Sequence, residues 1–357
     1  MFAERFERAR LAAGLSMAAL GQEVGVSANA IKKYAHGDAM PSSANLLKLA
    51  RALGVRTEYF FRPMRVPIEG VEYRKRAVTS KKLLRQVNAD VLEQAERWLE
   101  LLDFFPDNAK PLPAFELPQK LPVQVASMTE VDTIAMQLRD AWQLGRDAIP
   151  SLVDVLEAHG IMVIITQVDT GKCFDGLAGR TGDTPIIVIS AYQPGDRQRF
   201  TLAHELGHLV LHQRLSKALD EEKACHRFAS AFLLPDDTLL AALGSRRQAL
   251  EMGELYSLKQ EYGISMMAIL YRAGQAGIIS KSKQKQYFMH FSAQGWRTQE
   301  PGSACLQEET RLLGRLVYRA LAEGFIGEAK AAELMGMPLH AFHQQRKLES
   351  MDAVAHQ

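Results

Sequence analysis

The chain has 357 residues, of which 47% are hydrophobic and 24% charged, with 25 Gly and 14 Pro. That balance supports two or three packed domains and excludes collagenous, coiled-coil or largely disordered architecture. The formal net charge of +2 hides an asymmetry, because residues 1–66 carry 10 Lys/Arg against 5 Asp/Glu.

A basic N-terminal module points to an anionic partner, nucleic acid before others. No stretch approaches the roughly 18 apolar residues of a membrane span, and the charged opening MFAERFERAR lacks the apolar core of a signal peptide. The expected location is the cytoplasm, with no membrane partner. Cys173, Cys225 and Cys305 are odd in number and widely spaced, unlike a disulfide framework or a paired CxxC metal site.

Residues 4–12 read as a helix. In the segment AGLSMAALGQEVGVSANAIKKYAHG, Ser16 caps a short helix, Gly25 makes a turn, and Ser27 caps the next helix. This is helix-turn-helix spacing, with Leu20, Val26 and Ile31 placed to form its small core. SSANLLKLARALGV adds a capped amphipathic helix stopped at Gly54, and Tyr59, Phe60 and Phe61 are placed to close the module.

Residues 4–61 thereby resemble the Cro/C1-type (XRE) helix-turn-helix family. The resemblance implies operator DNA binding, usually as a homodimer, with residues 27–35 entering the major groove. Ser27, Ala28, Asn29, Lys32 and Lys33 become the candidate DNA contacts. Asn can read an adenine edge, whereas Lys reads guanine or neutralises phosphate. Met17 stands where the family commonly has a phosphate-contacting Gln.

Residues 67–122 read as a connector: a basic YRKR patch, a long helix over 81–105, then five prolines (Pro106, Pro111, Pro113, Pro118, Pro122) suited to a semi-rigid spacer. Two helices are predicted at 128–143 and 147–158. The runs GIMVIITQV and PIIVIS read as strands separated by a polar loop, so the second half is α+β.

The segment RFTLAHELGHLVLH contains His204, Glu205 and His208 as HExxH. On a helix, residues four apart are turned by only about 40° and rise about 6 Å, so both imidazoles can reach one tetrahedral zinc ion. Glu205 stands beside them as the base that activates water for attack on a peptide carbonyl. A third ligand is needed, and EEKACHRFASAFLLP offers Glu222 and His226 four residues apart; spacing alone does not choose between them.

With that second segment in place, the chain resembles the ImmA/IrrE family of zinc metallopeptidases over roughly residues 125–280. Its second motif has the form ExxANxFAxxLLMP, and aligning Phe228, Ala229 and Pro235 places the family's ligand glutamate on Glu222. The family's Asn position falls on His226, and an Ala position falls on Cys225. The resemblance thus implies zinc held by His204, His208 and Glu222, with Glu205 catalytic. Cys173 is expected to be a loop cysteine away from the metal. Tyr271 is compatible with packing or with oxyanion stabilisation.

Residues 306–323 predict an amphipathic helix, and IGEAKAAELMGMPLHAF predicts two short helices turning at Gly336. The expected fold class is mainly α with an α+β domain. It comprises a helix-turn-helix module at 1–66, a connector at 67–122, a zincin-like metallopeptidase domain at 123–280, and a C-terminal helical subdomain at 281–357. The expected function is a DNA-binding transcriptional regulator, of the kind tied to stress response, carrying a zinc-dependent endopeptidase. Its substrate would be the chain itself, cut in the proline-rich stretch, or a repressor or antitoxin partner. The alternative is a non-proteolytic regulator whose peptidase-like domain senses metal, ligand or partner, although a pure sensor has no need of Glu205.

Overall fold

The computed structural model describes residues 2–62, 69–73, 81–106, 109–171 and 174–348, with the backbone alone at 69–73 and 81. Three serines set the N-terminal module. The hydroxyls of Ser16, Ser27 and Ser42 accept hydrogen bonds from the backbone N–H groups of Ala19, Ala30 and Asn45 at 3.0, 3.1 and 3.3 Å, satisfying donors that the helix ladder leaves open. After α1 (Phe2–Ala12), these serines start α2 (Met17–Val24), α3 (Ala28–His36) and α4 (Ser43–Ala52). Gly25 turns α2 into α3 with φ 79°, a conformation glycine adopts without a Cβ clash. Phe6, Leu20, Ile31, Leu49 and Phe60 are fully buried, while Phe61 is half exposed and stands outside the seal that Tyr59 and Phe60 form.

Beyond this module come β1 (Glu69–Tyr73), α5 (Lys81–Asp103), α6 (Met128–Ala141), α7 (Leu152–Ala158), β2 (Met162–Thr166), β3 (Gly176–Thr181) and β4 (Thr184–Ser190). Helices α8 (Gly195–Leu211), α9 (Glu221–Leu233), α10 (Asp236–Leu243), α11 (Met252–Tyr262), α12 (Met266–Gln275) and α13 (Lys281–Ala293) follow. Last come α14 (Leu312–Ala322), α15 (Glu328–Leu334) and α16 (Leu339–Arg346). The strands form one sheet in the order β1-β3-β4-β2. β2 and β4 are parallel, in register from Met162 opposite Ile186 to Thr166 opposite Ser190. β3 is antiparallel to β4, and β1 adds antiparallel to β3 with Tyr73 opposite Leu177.

Side chains alternate across a strand, so an apolar run without alternation needs cover on both faces. Met162, Ile164, Ile186 and Val188 pack with Val91, Ala95 and Trp98 of α5 and with Val317, Leu334 and Phe342 of the last three helices. Val163, Ile187 and Ile189 face the opposite way, onto Leu202 and Leu206 of α8 and Phe228 of α9. The mainly helical architecture with a small mixed sheet is the expected fold class. The helix placed in the 67–122 connector is a covering layer of the sheet, and Leu112 and Leu121 of the proline-rich stretch are buried. Helices α14, α15 and α16 complete that same layer, whereas α13 packs through Phe291 into the core on the other side with α8 and α9, because an apolar sheet is stable only with cover on both faces.

The helix-turn-helix module is fastened to this layer by charge. Arg5 and Arg8 of α1 both donate to the carboxylate of Glu96 on α5, Arg8 at 2.8 Å. Tyr59 donates its hydroxyl to Glu93 at 2.8 Å, and Arg62 pairs with Glu333 on α15. Between α13 and α14, Glu300 accepts from the N–H groups of Met266 and Met267 at 3.0 Å each, and Glu308 from those of Leu152 and Val153 at 3.1 Å each. Each carboxylate thus satisfies the open donors at a helix start. No described helix is long and apolar enough to cross a membrane.

Candidate metal centre and nucleic-acid face

Helix α8 opens after Pro194 and is buried along most of its length, one turn after another lying beneath the sheet. His204 is wholly buried, Glu205 is 1% exposed, and His208 opens partly toward solvent. The four-residue spacing puts both imidazoles on one face, and their Nε2 atoms stand 3.1 Å apart. Two nitrogens each about 2.0–2.1 Å from a tetrahedral zinc ion stand about 3.3 Å apart, so this separation suits a shared ion. The His208 Nδ1 atom lies 3.1 Å from Glu221 Oε1, a contact of the kind that fixes which nitrogen of a ligating imidazole faces the metal.

Helix α9 runs across α8 and brings Glu222 to the same point. Its carboxylate oxygens lie 3.9 Å from His204 Nε2 and 3.5 Å from His208 Nε2. Asp220 caps α9, accepting from the Lys223 N–H at 3.0 Å, and that backbone hydrogen bond holds its carboxyl below the ordinary carboxylate range. Further along, Arg227 donates to Asp132 of α6 at 2.6 Å, and Asp132 also accepts from Arg272 of α12 at 3.1 Å. The Arg139 guanidinium of α6 donates to the Phe232 carbonyl at 2.6 Å. Burial pushes the Arg139 pKa down to about 10. These ties hold α9 against α8, where Gly207 admits the backbone of Cys225.

Cys225 follows Glu222 by three residues, one turn, and the ligand atoms of His204, His208 and Cys225 all lie within 4.8 Å of one another. Sequence reasoning assigns this neighbour no role, since the family motif has Ala there; the signal that could have found it is its place one helical turn after Glu222. Two imidazoles, a carboxylate and a thiol are donors that suit zinc. His226 stacks on Phe200 with ring centroids 5.6 Å apart and lies edge-on to His204 at 4.5 Å. Tyr271 is half exposed and stacked on Phe288. Cys173 lies outside the described residues.

A cleft of about 650 Å³ opens from His208, Glu221 and His212 to Ala178, Gly179 and Arg180 of β3, with Phe115 and Leu117 on its wall. β3 falls within the stretch that reads as a polar loop, because its residues Gly176–Thr181 include two glycines and an arginine. In the N-terminal module, α3 turns Ile31 and Tyr34 into the core. Ser27, Ala28, Asn29, Lys32 and Lys33 are all exposed together on its outer side.

The fold and site define a helix-turn-helix module joined to a domain with an HExxH helix. Comparison with known families agrees: residues 6–60 match the helix-turn-helix family model, and residues 156–273 match the model for the IrrE N-terminal-like domain, peptidase family M78. The radiation response metalloprotease IrrE of Deinococcus radiodurans is 26% identical, over 44% of this chain and 56% of that protein's length. A solved Mycobacterium tuberculosis transcriptional regulator is 18% identical, covering 50% of this chain and 51% of that chain, with a TM-score of 0.29. The chain therefore unites an XRE-type helix-turn-helix domain with an IrrE-type metallopeptidase-family domain.

Proposed function

We propose that this chain is a DNA-binding transcriptional regulator whose IrrE-type domain is a zinc-dependent endopeptidase acting on a regulatory protein. The observation that carries the reading is the convergence of His204 and His208, Nε2 to Nε2 at 3.1 Å, on a point that Glu222 also reaches. These three residues would hold the ion. When bound, zinc supplies Lewis acidity toward the scissile carbonyl and the attacking water. Glu205 takes the proton of that water and returns it to the leaving amine, so the peptide bond and one water become an acid and an amine. Glu221 keeps the His208 ring oriented. On the DNA side, Asn29 would read a base edge, Lys32 and Lys33 would meet bases or phosphates, and Ser27 and Ala28 would sit at the groove end of α3; a homodimer would match a two-fold operator.

One structural feature favours the chain itself as substrate over a separate repressor or antitoxin. Residues 69–73 pair antiparallel with β3, the strand that borders the cleft, and addition of an extended segment to a sheet edge is how backbone is commonly recognised. Phe115 and Leu117 of the proline-rich stretch also line the cleft. Both stretches lie between the DNA module and HExxH, so a cut in either severs the covalent link between them, and release then requires the contacts of Arg5 and Arg8 with Glu96 to open as well.

Zinc content and intact mass of the wild type, His204→Ala, Glu222→Ala and Glu205→Gln test the reading together. One zinc per chain is expected in wild type and Glu205→Gln, with loss in the other two and cleavage in the wild type alone. Cleavage that survives Glu205→Gln removes that residue as the base. A wild type that takes up no zinc at neutral pH supports the non-proteolytic regulator instead.

A further inference from the structure

Cys225 is a donor at the α8–α9 seam to which the endopeptidase reading gives no task. Its side chain is fully buried, whereas the Glu222 side chain is 60% exposed. The carboxylate is thus open to solvent, and the sulfur is enclosed by the interior. Sγ already lies within 4.8 Å of a ligand nitrogen on each histidine. A tetrahedral site with Zn–S about 2.3 Å and Zn–N about 2.0–2.1 Å places sulfur about 3.6 Å from each nitrogen, so the thiol has at most about 1 Å to close.

The backbone is built for that approach. A Cβ at position 207 would meet Cα of Cys225 at 3.3 Å and its Cβ at 3.4 Å, so the absence of a side chain on Gly207 lets α9 lie this near to α8. Thiolate and imidazole together form a donor set zinc takes in preference to harder cations.

We propose that Cys225 ligates zinc as a fourth protein donor, beside His204, His208 and Glu222. The inference rests on the metal reading above and deepens it. A hydrolytic zinc site keeps one position open for water, while four protein ligands make a closed, structural-type site. With Cys225 bound, no position would remain for water, so hydrolysis would require the thiolate to leave the metal. Coordination as thiolate releases the thiol proton to solvent and changes no oxidation state.

X-ray absorption at the zinc edge, on the full chain loaded with one equivalent of zinc in reducing buffer, reads the ligand set without using activity. The wild type is expected to show one sulfur neighbour at about 2.3 Å and three nitrogen or oxygen neighbours at about 2.0–2.1 Å. Cys225→Ala, which installs the residue the family motif has there, is expected to keep one zinc per chain and lose the sulfur neighbour. A Cys173→Ser, Cys305→Ser double variant is expected to retain it. Zinc bound by the wild type with nitrogen and oxygen neighbours only overturns the inference and leaves the endopeptidase reading standing, as does a sulfur neighbour that persists in Cys225→Ala. A wild type that binds no zinc overturns both.

Discussion

A Cβ on Gly207 would stand 3.3 Å from Cα of Cys225 and 3.1 Å from the Phe228 ring. The residue next to a candidate metal ligand is thus also a point where α8 and α9 lie close together. Gly207→Val should force the helices apart, costing about 1–3 kcal/mol as overpacking in a filled core. Because His208 is on one helix and Glu222 and Cys225 are on the other, zinc affinity should fall in the same variant. Thermal unfolding and a competition titration against a chromophoric chelator check both parts. Wild-type affinity in Gly207→Val would show that the site does not depend on this contact.

Glu221 adds a second dependence on α9. Its carboxylate meets His208 Nδ1 at 3.1 Å but is about half exposed, so water competes for the contact. Partners of this kind typically change metal affinity 10- to 100-fold. Exposure puts the expected loss in Glu221→Ala near the lower end, about tenfold, with stability of the metal-free chain changed by no more than about 0.5 kcal/mol. Calorimetric zinc titration and urea unfolding separate the two effects. A large loss of stability with unchanged affinity would recast Glu221 as a packing residue.

These contacts show where sequence reading succeeds. The HExxH pair and the serine caps are local: a four-residue spacing or a side chain three residues from its backbone partner is enough to define them. So the helix-turn-helix, α8, α9 and the strands β2 and β4 are legible in the sequence. Glu221 and Cys225 are not, because each matters only through the crossing of α8 by α9. β3 carries glycines and a charge in place of an apolar alternation, and β1 is defined by its pairing with β3. The role of α5 is hidden for a similar reason. Its leucines indicate an apolar face, but only the sheet's need for cover on both sides determines what that face meets.

Glu96 ties the DNA module to this scaffold. It accepts from both Arg5 and Arg8, and all three are buried. Removing the shared carboxylate leaves two guanidiniums in a poorly solvated seam, a change that commonly costs 3–5 kcal/mol. Glu93, 3.9 Å from Arg8, offsets part of this, so Glu96→Ala should lose about 3 kcal/mol of docking. Hydrogen exchange is the direct readout, with faster exchange expected in α1 and no change in α8. Uniform acceleration across both helices would mean that the module and the scaffold unfold as one unit, with no separable docking step.

Glu157 gives a pH prediction independent of the metal. Its side chain on α7 is 1% exposed, and burial, reinforced by the negative charge of Asp154, pushes its carboxyl up to about 8 from an ordinary 4.5. Between those two values the unfolded chain has released this proton and the folded chain still holds it. Folding then takes up a proton, so the residue's contribution to stability is fully present below about pH 4.5 and is lost as pH rises to about 8. Glu157→Gln keeps the shape and removes the titration. Relative to that variant, the wild type should lose on the order of 3 kcal/mol between pH 5 and pH 8, since a proton taken up on folding costs about 1.4 kcal/mol for every tenfold fall in proton concentration. Urea unfolding of both proteins at the two pH values measures the difference. Parallel pH dependence in wild type and Glu157→Gln would mean that the carboxyl ionises in the folded protein as readily as it does in the unfolded chain.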